Sequence, residues 1–154
     1  MSRQRGVVLL LALVLSMLLG LLAASAMRDA LVETRMAGYL SDGLLALEEA
    51  EAALQAGARE FERAPPDACG ACLPPARPHD LAGPWQRTPT GYFHLQNLGI
   101  SKRAAHVPEG QPVTLFRITA VSKQAQPRHV LEAVYAVADG TTRRISWRQR
   151  LRGD

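Results

Sequence analysis

The side chains with the widest chemical reach in this 154-residue sequence are two cysteines, Cys69 and Cys72, spaced as Cys-Gly-Ala-Cys. That spacing suits half of a zinc site, a redox-active thiol pair or a short structural disulfide. Zinc would need two more ligands, and His79 and His94 do not stand at a persuasive spacing. A redox pair ordinarily opens a helix in a βαβ setting, whereas these cysteines lie in a proline-rich stretch. On the oxidising side of a membrane a disulfide is the ordinary outcome. Closing so short a loop contributes modestly, about 2 kcal/mol or less. The four histidines (His79, His94, His106, His129) are scattered, with no metal spacing and no nucleophile motif beside them. Carboxylates cluster only at Glu48, Glu49 and Glu51, which read as the solvated side of a helix. No glycine-rich phosphate loop occurs. The chain is not read as an enzyme, and no metal or cofactor is expected.

Charge offers a second kind of chemistry. Residues 1–90 hold 8 basic and 10 acidic side chains, whereas residues 91–154 hold 10 basic and 4 acidic. The net charge of +4 therefore arises in the C-terminal part. Arg144, Ser146, Arg148, Arg150 and Arg152 alternate along the last segment and would share one face of a strand. Such a row can meet an acidic protein or nucleic-acid phosphates, or it can be a solvated face that guards a sheet edge. No aromatic residue interleaves with the arginines on that face, which counts against stacking on single strands.

The elements that would position these residues begin with the first 27 positions. Arg3 and Arg5 precede an unbroken apolar run from Val7 to Ala26, and Arg28 follows it. A run of about 20 apolar residues is long enough to cross a bilayer as a helix. The charge placement puts the leader, residues 1–6, in the cytoplasm and everything after Arg28 on the far side of the membrane. Three readings of the run stand side by side. A secretory signal could be cut at Ala24-Ser25-Ala26, and a plain anchor would keep its leader. Alternatively, a peptidase could cut after Gly6, between Arg5 and the apolar run, leaving Val7 as the new N-terminus.

The helical pattern continues past the membrane half, residues 7–27, into an amphipathic half, residues 28–63. No proline occurs before Pro65, and Leu40, Leu47, Leu54 and Phe61 recur every seven residues, with Leu44 and Ala58 on the same side. These leucines and Phe61 are the expected interface between the helix and its own domain or its neighbours. One helix over residues 7–63 would be about 85 Å long. Pro65-Pro66 ends it, and residues 64–90, which carry seven of the ten prolines, read as an irregular, stiff loop holding the two cysteines. From Gly91 the pattern is β. Candidate strands are Tyr92–Leu95, Val113–Val121, His129–Ala138 and Thr142–Arg152, with a hairpin turn at Asp139-Gly140. The expected fold is α+β: a long N-terminal helix whose second half packs on an antiparallel sheet of three or four strands, residues 91–154.

This plan resembles that of type IV pilins, and the details are most similar to PilX-type minor pilins. Arg5-Gly6-Val7-Val8-Leu9-Leu10, Arg35-Met36-Ala37-Gly38 and the alanine- and glutamate-rich stretch Ala46–Gly57 carry the resemblance. Phe116-Arg-Ile-Thr-Ala and Val130-Leu-Glu-Ala-Val-Tyr135 are similar to the last strands of that group. The resemblance implies a pilin-like fold and cleavage between Gly6 and Val7 by a prepilin peptidase. It also implies residence in the inner-membrane lipid, and then at a filament tip. Partners would be other minor pilins, the major pilin and a tip adhesin of the PilY type, in a complex that primes pilus assembly. Equivalent subunits prime the pseudopilus of type II secretion, and nucleic acid is the remaining candidate partner. One departure stands out: the glutamate typical of the fifth mature position is replaced by Leu11. A subunit without that carboxylate suits the top of a filament, where no neighbour sits above it.

Overall fold

The computed structural model describes residues 2–152. Met1, Gly153 and Asp154, and with them the first position of the leader and the end of the expected sheet domain, lie outside the described residues, as do the side chains of Arg3 and Arg5. The chain divides into two units, Met1–Ser41 and Asp42–Asp154.

A single helix, α1, runs over Ser2–Arg63. It includes the leader residues from Ser2 onward as well as both expected halves. One helix in the described chain is long and apolar enough, by length and composition, to cross a membrane, and none of its apolar window is buried. Three hydroxyls of the helix bond back to its own carbonyls. Ser16 Oγ donates to the Ala12 carbonyl at 2.7 Å, Ser25 Oγ to Leu22 at 2.8 Å and Thr34 Oγ1 to Ala30 at 2.8 Å. Satisfying hydroxyls within the segment is what a hydrocarbon environment demands.

In the second unit a five-stranded antiparallel meander follows, in the order β1 (Gln86–Arg87), β2 (Gly91–Ser101), β3 (Val113–Ser122), β4 (Val130–Ala138) and β5 (Thr141–Arg150). The extra strand is the two-residue β1, which pairs Gln86 with Phe93 and Arg87 with Tyr92. β2 is longer than expected because a bulge at Leu98 carries pairing with β3 on to Ser101. Asp139 and Gly140 make the tight turn, with φ of 48° and 74°. Positive φ at both central positions matches the twist of the flanking strands, and glycine at the second removes the strain there.

One face of the sheet packs on α1. The helix presents Ala46, Ala50, Ala53, Leu54 and Phe61 to it, all buried. Phe93, Phe116, Ile118, Ala120, Ala133 and Tyr135 answer from the strands. The Phe61 ring stacks on Phe116 at 4.7 Å and tilts against Tyr135 at 5.5 Å. At Gly57 the approach is so close that a Cβ would stand 2.8 Å from Ile118 Cγ2 and 3.0 Å from Phe93 Cδ2. The contact face is thus mainly alanine and glycine, and it brings the helix backbone onto the sheet.

The expected leucine stripe divides along its length. Leu54 and Phe61 are in the core and Leu47 is half-buried, but Leu44 is 62% exposed and Leu40 70% exposed. Within the second unit, the buried part of the helix begins at Ala46, so Leu44 and its neighbour Leu45 lie beyond the reach of the strands.

Candidate functional site

The other face of the sheet does not meet solvent directly. The proline-rich loop crosses it as a strap, and polar groups of β2, β3 and β5 hold the strap in place. Asn97 fixes the start: its carbonyl accepts from the Cys69 N–H at 2.9 Å and its Nδ2 donates to the Pro66 carbonyl at 2.8 Å. Cys69 and Cys72 are joined by a disulfide next to that anchor. In this oxidised form the sulfurs are not thiolates, which removes them as zinc ligands. Farther along, Gln96 Nε2 donates to the Leu73 carbonyl at 2.9 Å and Arg117 Nη1 to Cys72 at 2.8 Å. Arg150 Nη1 reaches the Pro75 carbonyl at 2.9 Å. The strap ends in one 3₁₀ turn, Pro78–Asp80, with Pro78 buried.

Beneath the strap a polar row crosses four strands: His94, Thr119, Glu132 and Arg148 stand opposite one another in register. Glu132 is 6% exposed and takes the Arg148 guanidinium at 2.7 Å through Nη2 and 2.9 Å through Nε. Arg150 Nη1 lies 4.0 Å from the other carboxylate oxygen. Among the described residues, His94 Nδ1, Arg117 Nε, Thr119 Oγ1 and Glu132 Oε2 are buried side-chain atoms without a hydrogen-bond partner. All four belong to this face, so it holds the polar groups that are costliest to bury.

Burial also pushes the His94 imidazole below its ordinary pKa, which keeps it neutral in the fold. In the unfolded chain it regains a pKa of about 6.5 and binds a proton more readily. The His94 contribution is therefore present above about pH 6.5 and lost as pH falls below it. Unfolding of the full chain in detergent, followed at pH 7.5 and pH 5, should show this loss, and His94→Gln should reduce it. An equal loss in the variant would show that His94 is not its source.

The four arginines expected to form one partner face are separated by the structure. Ile145 is the extra residue of a β-bulge, so Ser146 pairs with Val134 but Arg144 already pairs with Tyr135. The bulge reverses the alternation, putting Arg144 on the helix side and Arg148 and Arg150 on the strap side. Burial raises the pKa of the Tyr135 phenol, and the neighbouring Arg144 charge and its hydrogen bond act the other way. Arg148 is committed to Glu132, and Arg150 is 7% exposed. Arg152 lies past the end of β5 and is exposed. The residues that alternate with these arginines are uneven too. Trp147 faces the helix side beside Ala133 but is 43% exposed, and Leu151 is 64% exposed beyond the strand.

Two concave features flank this arrangement. An open cleft of about 870 Å³ is lined by Phe61, Glu62, Asp67, Asn97, Phe116 and Val137 among others. At the other end of the sheet, the β3–β4 loop, the end of β5 and the 3₁₀ turn enclose a hollow of about 440 Å³. Among the described residues, no three or more His, Cys, Asp or Glu side chains gather as a metal site would require. Neither family models, curated proteins nor solved structures provide a match to this chain. What can be said of function rests on its own residues.

Asn97 was not legible as an anchor, although its place in Asn-Leu-Gly, a polar residue and a glycine inside a strand, is the signal of a bulge. Arg117 was likewise missed.

Proposed function

We propose that this chain is a minor pilin that primes type IV pilus assembly at the filament tip, together with other minor pilins and a PilY-type adhesin. The observation that carries this reading is the single helix Ser2–Arg63, none of whose apolar window is buried, followed in the chain by a small antiparallel sheet. In a monomer such a surface has no aqueous use. Lipid satisfies it before assembly, and sister helices satisfy it afterwards. Gly6 offers the processing point for a prepilin peptidase, and Val7 becomes the first residue of the mature subunit. The segment holds no carboxylate, in keeping with Leu11 at the fifth mature position.

The surface for neighbouring subunits is assigned to the exposed leucines of the helix, Leu40, Leu44 and Leu45, in place of the arginine row. Arg148 and Arg150 hold the protein's own strap and carboxylate. Gold-labelled antibody against the sheet domain should decorate sheared filaments at one end. Labelling spread along the shaft would contradict a tip role, and filaments without label would contradict a filament subunit altogether.

A further inference from the structure

The geometry points to the hollow formed by the β3–β4 loop, the end of β5 and the 3₁₀ turn as a binding site for an oxyanion of the phosphate class. Its lining includes His79, Arg128, His129, Gln149, Arg150 and Arg152, and among the described residues that line it there is no carboxylate. Arg128 is held at its rim, donating through Nη1 to the His79 carbonyl at 2.6 Å and through Nε to the Gln124 carbonyl at 3.4 Å. A guanidinium has five N–H donors, so these two bonds orient the fork and leave it further donors. Gln149 Nε2 and His129 Nδ1 lie 2.7 Å apart on another wall. The Arg150 side chain is buried and fixed by the Pro75 carbonyl.

Electrostatics point the same way. The His79 imidazole is pushed below its ordinary pKa by burial and then by Arg152, Arg150 and Arg128, with Asp80 alone opposing. Asp80 belongs to the adjoining hollow, which shares His79, Leu151 and Arg152. Three guanidiniums thus act on one imidazole in a concave space whose described lining holds no carboxylate, the counter-charges being Asp80 beside His79 and Glu132 4.0 Å from Arg150, both outside that lining. Like charges gathered this way repel, and an anion that enters relieves the repulsion while meeting several charge-assisted donors. Arginine forks match tetrahedral oxyanions in a two-pronged geometry that lysine cannot provide. A volume of about 440 Å³ admits a phosphate together with the group that bears it.

This inference does not depend on the filament role. It is tested by titrating the full chain in neutral detergent with inorganic pyrophosphate, and separately with a short single-stranded oligonucleotide, at two salt concentrations. Saturable binding that weakens with salt is expected for at least one probe, reduced about tenfold or more in Arg152→Gln and further in Arg128→Gln/Arg152→Gln. Tighter binding of pyrophosphate would identify a terminal phosphate as the source, and tighter binding of the oligonucleotide a phosphodiester backbone. Arg152 lies outside the strands and is exposed, so its variant tests the site without disturbing the fold. Absence of binding to both probes, or binding unchanged in both variants, would overturn the proposal.

Discussion

Arg150→Ala is expected to lower the stability of the sheet domain by about 2–4 kcal/mol, more than loss of any exposed arginine. Two effects add. The variant loses a donor to the Pro75 carbonyl, which holds the strap on the sheet. It also removes a cation beside the buried Glu132 carboxylate, leaving that charge to Arg148 alone. Removing one member of a buried charged group costs more than the group itself contributes, because the remaining charge stays desolvated. Urea unfolding of the full chain in detergent, read from Trp85 and Trp147 fluorescence, would register the change as a lower midpoint. Arg148→Ala is the control: its side chain is 57% exposed, so water can replace part of what is lost and a smaller shift is expected. A midpoint for Arg150→Ala within error of the parent would show that the strap is not held there. Arg150 therefore supports the fold, and a change there would disturb the strap before it reported on any partner.

The second large effect is expected at Gly57. Gly57→Val should cost about 2–3 kcal/mol, because even its Cβ would meet Ile118 and Phe93 at 2.8 and 3.0 Å, and two methyl groups would follow it. The helix must then move off the sheet and give up contact along Ala50, Ala53 and Leu54. Gly43 supplies the opposite case on the same helix, since nothing lies within 4 Å of its would-be Cβ. There alanine should stabilise by roughly 0.5–1 kcal/mol through helix propensity alone. Opposite signs at the two glycines, measured in the same urea experiment, are the expected outcome. A destabilising Gly43→Ala or a neutral Gly57→Val would contradict this packing.

The helix was legible because its signals are local: an apolar run with no proline, then a proline pair at Pro65-Pro66. The strands were legible for the same reason, from β-branched runs and the Asp139-Gly140 turn. How far along the helix the sheet covers the apolar stripe was not legible. Size and hydrophobicity favoured Leu40 and Leu44, whereas close packing selected Ala46, Ala50, Ala53 and Gly57. Leucine every seventh residue describes an apolar surface without saying where the sheet stops covering it. The arginine row failed through one bulge, since a single extra residue at Ile145 reverses every side chain after it. The loop of residues 64–90 was legible as irregular and proline-rich, but its course across the sheet was not. Arg117 and Arg150 recognise main-chain carbonyls of Cys72 and Pro75, and every residue carries a carbonyl, so no side-chain pattern marks the partners. The same contact explains why a strand face rich in charge is buried: the loop brings acceptors to it.

The central claim is that the apolar helix is the assembly element of a processed filament subunit, and intact-mass and N-terminal analysis of the protein from its native membrane tests it most directly. The expected mature chain begins at Val7, with an N-methyl group, the six leader residues having been removed. A chain beginning at Met27, or one retaining Met1, would contradict it: the first would describe a secreted domain and the second a simple membrane anchor.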